Sequence, residues 1–361
     1  MQWLLLILIV PYICLLIRIY RSLIHIRSWH PQSVAGRFIS IVVPCHNEER
    51  NLPVLLIHLS EQDYDPDLFE VLIIDDNSCD RTSAIAAEFK GIKNLVFLKN
   101  CGKGKKSAIR HGVRVSKGSL IVTTDADCIM GQSWLKTIAL FFEENKPEMI
   151  ICPVELEDEK GFFSRFQELE FLSLQGITAG AAFMNKPVMC NGANLAFTKE
   201  VYERYSGNLH DELISGDDVF LLQAIKHDPE NKIMWLESAD AMVITHISKT
   251  LCAFLRQRVR WISKAGAYKD RFTRVLGIVT FFTILLQLLL LIAGIFNPVF
   301  LWVYLVTFLI KSSADYLILM NTASRYCKRK LIKWFPLSEV IYPFYVILVV
   351  ISYFVPGEMK N

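Results

Sequence analysis

The sequence predicts an α/β fold, a doubly wound and mainly parallel sheet flanked by transmembrane and interfacial helices. Three observations lead there. Short apolar runs alternate with helical stretches between Phe38 and Cys128, the pattern of strand-helix-strand units with right-handed crossovers. Apolar stretches of about 20 residues, close to the length that crosses a hydrocarbon core, flank that region. The run Leu120-Ile-Val-Thr-Thr-Asp-Ala-Asp-Cys128 then delivers two carboxylates, Asp125 and Asp127, at the end of a buried strand. Ligands bind at the carboxyl ends of strands in open α/β sheets, and paired hard oxygen donors there suit a divalent cation bridging a diphosphate. Alone, so short a triplet also fits a solvated loop.

Composition sets the outer bounds. Of 361 residues, 52% are hydrophobic and the mean hydropathy is positive, high for a purely soluble chain, so part of it belongs in lipid. The net charge of +3 carries no footprint for nucleic acid, and no such partner is expected. Nine cysteines, Cys45, Cys79, Cys101, Cys128, Cys152 and Cys190 among them, lack CxxC pairs or metal-ligand spacing, which predicts reduced, packed thiols.

Trp3 to Tyr20 forms an anchoring helix, with Arg18, Arg21 and Arg27 around its end. No basic segment precedes the apolar run and no small-x-small site follows it, against a cleaved signal peptide. Three more spans are expected at Val275–Phe296, Pro298–Met320 and Trp334–Val355, the first two broken only by Asn297-Pro298. Basic residues cluster after the first span, before the second (Arg256 to Arg274) and between the third and fourth (Arg325 to Lys333). The positive-inside rule puts all three places in the cytosol of a cell (inner) membrane protein. The domains are then 1–26, an anchor; 27–274, a cytosolic domain ending in an amphipathic interfacial helix; and 275–361, the C-terminal membrane region. Lys311 and Asp315, four apart inside the third span, neutralise each other toward the bundle.

Within the soluble segment, Phe38 to Val43 is a strand broken by Pro44 and followed by His46-Asn47-Glu48-Glu49 and a helix, Leu52 to Leu59. Val71 to Ile74 enters Asp75-Asp76-Asn77-Ser78-Cys79-Asp80-Arg81-Thr82, and a helix from Ser83 to Lys90 follows. A third strand, Leu95 to Leu98, leads into Cys101-Gly102-Lys103-Gly104-Lys105-Lys106 and another helix. These polar turns converge on one crevice that fits a nucleotide. Asp75 or Asp76 accepts from a base or ribose, while Lys103, Lys105 and the glycine amides meet phosphate. Each turn alone is also ordinary turn chemistry.

Pro44-x-x-Asn47-Glu48, Asp75-Asp76-Asn77-Ser78-x-Asp80-x-Thr82, Gly102-Lys103-Gly104-x-x-x-Ala108 and Asp125-Ala126-Asp127 resemble, in order and spacing, the nucleotide-sugar half of family-two glycosyltransferases with the GT-A fold. Asn191 to Phe197 resembles the family's acceptor-side segment, with Asn194 as an acceptor contact. Gly216-Asp217-Asp218-x-x-Leu221 resembles its base motif, and Gln257-Arg258-Val259-Arg260-Trp261 its Gln-x-x-Arg-Trp motif. These blocks run from about Phe38 to Trp261.

The resemblance implies a donor site made of Pro44, Asn47, Glu48, Asp75, Asp76, Lys103, Lys105, Asp125, Asp127, Gln257 and Arg260. Asp127 is then the metal ligand, for Mg²⁺ or Mn²⁺, and Asp125 a sugar or ribose contact. Asp218 is the expected general base, with Asp217 the alternative, and a base opposite the leaving group implies inversion. Asp217 equally fits a helix cap. Gln257 and Arg260, three apart, share a helix face, and Trp261 offers a flat ring to a sugar acceptor. The stretch Leu251 to Tyr268 is also amphipathic enough to lie at a membrane surface. His246 stands where the family often carries Glu, and is read as a metal ligand, an acceptor contact or a packed loop histidine. Phe162, Phe163, Phe166, Leu169 and Leu172 form a helical apolar stripe.

The expected function is a metal-dependent inverting transferase moving sugar from a nucleotide sugar, a UDP-sugar, to a lipid-linked or saccharide acceptor. A processive polysaccharide synthase subunit working with membrane partner subunits, a polyprenyl-phosphate transferase and an inactive nucleotide-binding membrane protein are the alternatives.

Overall fold

A computed structural model describes residues 2–30, 36–210, 213 and 215–354. The chain divides into two compact units, Arg27–Glu157 with Met189–His246, and Met1–Ile26 with Asp158–Val188 and Ile247–Asn361.

The first of these units is the expected α/β body. Its strands are β1 (Ile39–Cys45), β2 (Phe69–Asp75), β3 (Leu95–Lys99), β4 (Leu120–Thr123), β5 (Ile129–Met130), β6 (Met149–Ile151), β7 (Val154–Leu156), β8 (Leu195–Thr198), β9 (Ile233–Trp235) and β10 (Val243–Thr245). Seven form a sheet in the order β3-β2-β1-β4-β8-β6-β9. β1 to β4 run parallel, as their apolar runs and intervening helices require. β8 enters antiparallel to both β4 and β6, and β9 returns parallel to β6. That reversal carries the acceptor-like segment, residues 191–194, to the edge where β1, β2 and β4 end. A smaller sheet, β5-β10-β7, follows the Asp-x-Asp turn.

β1 continues through Pro44, which the sequence reading takes as its end. Pro44 faces Ile74 of β2 in register, whereas the pairing with β4 stops at Val42 opposite Thr123. A proline costs little where one side of the strand has already lost its partner. The core packs Ile39, Ile41, Val43, Val71, Ile73, Leu120 and Val122 against Leu52, Leu55, Leu56 and Leu59 on one helix and Trp134, Leu135 and Ile138 on another. Cys45, Cys128 and Cys152 are buried free thiols, and burial pushes each well above its ordinary range. Cys14, Cys79, Cys101, Cys252 and Cys327 are exposed instead, so the packed-thiol expectation holds for part of the set.

The other unit is helical. Among the described residues, Leu5–His25, Arg271–Phe296, Pro298–Arg325 and Arg329–Phe354 are each long and apolar enough to cross a membrane. They coincide with the expected spans, the predicted terminus Val355 lying outside the described residues. Large apolar side chains on them face outward, among them Ile7, Phe282, Phe296 and Trp302, as lipid contact demands. The helix Phe162–Phe183 packs its stripe inward, with Phe166, Leu169 and Leu172 buried. Phe166 joins Phe254, Leu255, Val259, Tyr345 and Val349 in one cluster. The amphipathic helix runs from Leu251 to Ile262, capped by the Thr250 hydroxyl accepting from Ala253 N–H, and ends before the predicted Tyr268.

Lys311 is 1% exposed and donates to Asp315 at 2.6 Å and Glu339 at 2.6 Å. Asp315 also accepts from the Tyr12 hydroxyl at 2.5 Å. The expected Lys311–Asp315 pair is thus part of a network joining three spans. Glycines permit close helix approach here: a Cβ on Gly180 would lie 2.7 Å from the Ile19 carbonyl oxygen, and one on Gly176 would lie 2.2 Å from Thr322 Oγ1. Gly180→Leu is expected to cost about 1–3 kcal/mol by forcing the anchor helix aside. The measurement is the midpoint of thermal unfolding in detergent, and an unchanged midpoint would refute the close packing.

Candidate active site

Strand polarity builds the site. β1, β2 and β4 end together, delivering Asn47 and Glu48, Asp75 and Asp76, and Asp125 and Asp127 to one edge, and the antiparallel β8 starts there. The Thr123 hydroxyl donates to the Gly192 carbonyl at 2.9 Å, tying the end of β4 to the segment before β8.

Lys105 leads the helix Lys105–Val115 and donates to Asp125 at 2.5 Å. A Cβ placed on Gly192 would sit 3.8 Å from Lys105 Nζ and 3.6 Å from Asp218 Oδ2, so the ammonium, the Asp218 carboxylate and this bare backbone share one small space. Asp218 accepts from Gly192 N–H at 3.0 Å and Val219 N–H at 2.8 Å, which orients its carboxylate while leaving lone pairs for a further donor. Asp217 begins the same helix and is 8% exposed. Burial and the charge of Asp218 push it up to about 6 against the pull of Lys105. Partial burial opposes the charge on Lys105, but Asp125, Asp217 and Asp218 outweigh it and hold the ammonium well above the ordinary lysine range.

Asp127 accepts from the Thr245 hydroxyl at 3.1 Å, a contact made because β10 pairs with β5 immediately after the Asp-x-Asp turn. The next residue, His246, places Nδ1 2.8 Å from Glu157 Oε2. With the proton on Nδ1, Nε2 is left as a lone-pair donor, the arrangement common for metal-binding histidines. Burial raises the Glu48 carboxyl, its bond from Asn51 offsets part of this, and Asp127 and Asp125 push it further up. Carboxylates therefore outnumber the ammonium in this group, and their hard oxygens fit Mg²⁺ or Mn²⁺. No cluster of three or more His, Cys, Asp or Glu suited to a metal occurs among the described residues. The donor set fits an ion that takes its remaining ligands from phosphate and water.

The nucleotide-side turns are cross-tied. Asn47 adopts φ 58°, donates its N–H to Ser78 Oγ at 2.9 Å and accepts from Cys79 N–H at 2.8 Å. Asp75 is buried and accepts from Ser78 N–H and the Ser83 hydroxyl, both at 3.2 Å, so its carboxylate braces the turn. Asp76 accepts from Asn100 and from Gly104 N–H, both at 2.8 Å, and Gly104 meets the turn with φ 85°. Lys103 is exposed on this loop. Lys106, three residues on, donates instead to the carbonyls of Leu209 and His210.

One expectation is corrected by burial. Asn194 is 0% exposed; its amide donates to Pro153 and Ala241 carbonyls at 2.7 and 2.8 Å and accepts from Trp134 Nε1 at 3.0 Å. Those bonds consume its donors and keep it from any acceptor. Gln257, Arg260 and Trp261 belong to the helical unit, where Arg260 is exposed and Gln257 and Trp261 are half-buried. Sequence reading missed Thr245, Gly192 and Arg258. A threonine beside a histidine and a variable position inside a motif carry no signal until the fold brings partners to them.

Residues 40–206 match the sequence profile of the family described as Glycosyl transferase family 2. That segment is thus similar to family-two glycosyltransferase domains. Among similar proteins, "Probable glycosyltransferase YdaM" of Bacillus subtilis is 27% identical over 191 residues, 51% of this chain and 46% of that protein. The human dolichyl-phosphate beta-glucosyltransferase is 39% identical over 101 residues, 25% of this chain and 31% of its own length. The chain thus spans less than two thirds of the length of these relatives. The mannosyltransferase PcManGT of Pyrobaculum calidifontis, solved in complex with GDP-Man and Mn²⁺, superposes with a TM-score of 0.61 at 17% identity, covering 99% of this chain and 100% of that one. The chain accordingly has a GT-A-like fold with apolar helices in its C-terminal region.

Because the folded Asp217 binds its proton more tightly than an unfolded aspartate, its contribution to stability is full below about pH 4 and lost as pH rises through about 6. Asp217→Asn is therefore expected to gain about 1–3 kcal/mol on the wild type between pH 4 and 8. Urea unfolding at both pH values checks this; an equal difference at the two would contradict the shift.

Proposed function

We propose that this chain is a membrane-anchored, inverting glycosyltransferase that moves a sugar from a nucleoside diphosphate sugar, a UDP-sugar, to a lipid-linked or saccharide acceptor at the cytosolic face of the inner membrane. The observation that carries the reading is the grouping of Asp218, the Lys105–Asp125 pair and the bare backbone of Gly192 at the ends of parallel strands.

In this reading Asp218 accepts the proton of the acceptor hydroxyl as its oxygen attacks the anomeric carbon, while the bond from that carbon to the diphosphate breaks on the opposite face. The configuration inverts. Asp217, buried behind it, is the alternative base. Lys105 offsets charge on the departing diphosphate, and Lys103 and Arg260 are assigned to phosphate. Pro44, Asn47, Glu48, Asp75 and Asp76 shape the nucleoside end, the last two mainly by fixing their turns, and Asp125 meets ribose or sugar. Mg²⁺ or Mn²⁺, held by Asp127 and His246, would neutralise negative charge on the diphosphate. Gln257 is assigned to the donor and Trp261 to the acceptor.

Membrane anchoring is supported by the four apolar helices, and the cytosolic placement by basic residues beside them. A lipid-linked acceptor is favoured by the relative whose name specifies a dolichyl phosphate. The test is incubation of purified membranes with labelled nucleotide sugars, followed by solvent extraction. A chloroform-soluble product supports the lipid branch, a polymer product the saccharide branch, and no product with any sugar refutes the assignment.

Asp218→Asn is expected to lower turnover by about 10²–10⁴-fold while donor affinity holds; full turnover would remove it from the mechanism. Asp127→Ala should weaken Mn²⁺-dependent UDP binding in calorimetric titration, and unchanged titration would exclude it as a ligand.

A further inference from the structure

Arg258 occupies a variable position of the Gln-x-x-Arg-Trp motif, yet it is 4% exposed and is the most heavily engaged side chain of its helix. Its guanidinium donates through Nε to both oxygens of Glu170, at 3.1 and 3.0 Å, and again through Nη2. Glu170 also accepts from the Tyr345 hydroxyl at 2.6 Å. The guanidinium carbon lies 4.4 Å from the Phe254 ring centre and 4.2 Å from that of Trp261, and Nη1 donates to Gln257 Oε1 at 2.5 Å.

Two consequences follow for the motif residues. With Oε1 taken by Arg258, the Gln257 amide is turned so that its NH₂ group is the end left to reach an oxygen-rich ligand. With one face of the indole against the guanidinium, Trp261 has a single face to offer a sugar ring. We propose that Arg258, Glu170 and Tyr345 are positioning residues that fix the Trp261 indole for acceptor binding. The inference rests on the assignment of Trp261 to the acceptor.

The network draws on three helices: Arg258 from Leu251–Ile262, Glu170 from Phe162–Phe183 and Tyr345 from the last apolar span. A planar, permanently charged fork suits this role, because it can stack on two rings while bonding a carboxylate edge-on. An ammonium cannot do both. The last apolar span thereby bears on the orientation of Trp261, through the Tyr345 phenol-to-carboxylate bond and its stacking on Phe254.

The experiment uses the full chain in detergent, with Glu170→Gln, Tyr345→Phe and Arg258→Lys. Near-ultraviolet circular dichroism of each, with and without Trp261→Phe, isolates the signal of Trp261 without requiring activity. The signal is expected to be present in the wild type, to shrink in Tyr345→Phe and to vanish in Glu170→Gln and Arg258→Lys. Acceptor KM should rise on the order of ten- to a hundredfold in the latter two, and by more than donor KM, which the Gln257 contact also touches. Retention of the Trp261 signal in all three folded variants overturns the proposal, as does a rise in donor KM equal to that for acceptor. Tyr345→Phe preserves shape and removes one bond, so it remains informative if Glu170→Gln does not fold. Absence of transfer by the wild type would count against the glycosyltransferase reading, while the dichroism still decides the positioning role.

Discussion

The ion pair between Lys105 and Asp125 is the constraint around which the α/β unit is arranged. An ammonium among carboxylates at the mouth of a sheet holds together charges that would repel one another, and it does so only if the strands carrying them end at the same place. Parallel pairing of β1, β2 and β4 meets that requirement for three polar turns. Insertion of β8 in the opposite sense brings Gly192 beside Lys105 and Asp218 as well. Burial, with the carboxylates that remain in excess even with this pair formed, makes Asp217 hold its proton unusually well, and the same excess suits additional positive charge.

Bracing around the pair is as informative as the pair itself. Asp75, Asp76, Asn47 and Asn194 have the residue types of ligand contacts, but their hydrogen bonds run into the protein. Asp76 closes the glycine-rich loop through Gly104 N–H, and Asn194 joins Trp134 to carbonyls from two other segments. Buried polar groups of this kind are costly unless every partner is in place, so they hold their loops in one arrangement. A motif residue can therefore be indispensable to a site without reaching its contents.

Much of the architecture was legible in the chain. The alternation of β-branched runs and helical stretches gave β1 to β4, and the four apolar stretches matched the long helices within a few residues, because periodicity and length are local properties. The antiparallel entry of β8 was not legible, since Leu195 to Thr198 reads the same in either direction and only pairing with Thr123 and Ile151 sets its sense. Burial was equally hidden: nothing in Asn-Gly-Ala-Asn distinguishes Asn191 from the wholly enclosed Asn194. Pro44 misled for a physical reason, its lost donor being harmless where β4 has already stopped. Arg258 escaped notice because its partners, Glu170 and Tyr345, lie 88 and 87 positions away on opposite sides.

The contact between Tyr12 and Asp315 bears on how the molecule is made. The two residues are separated by 303 positions, and at about 5–20 residues per second a ribosome needs roughly 15–60 s to bridge that distance. During that interval the Tyr12 phenol is already made while its eventual acceptor, Asp315, is not. Synthesis of this chain thus includes a waiting period in which Tyr12 must find its hydrogen bond elsewhere until residue 315 emerges.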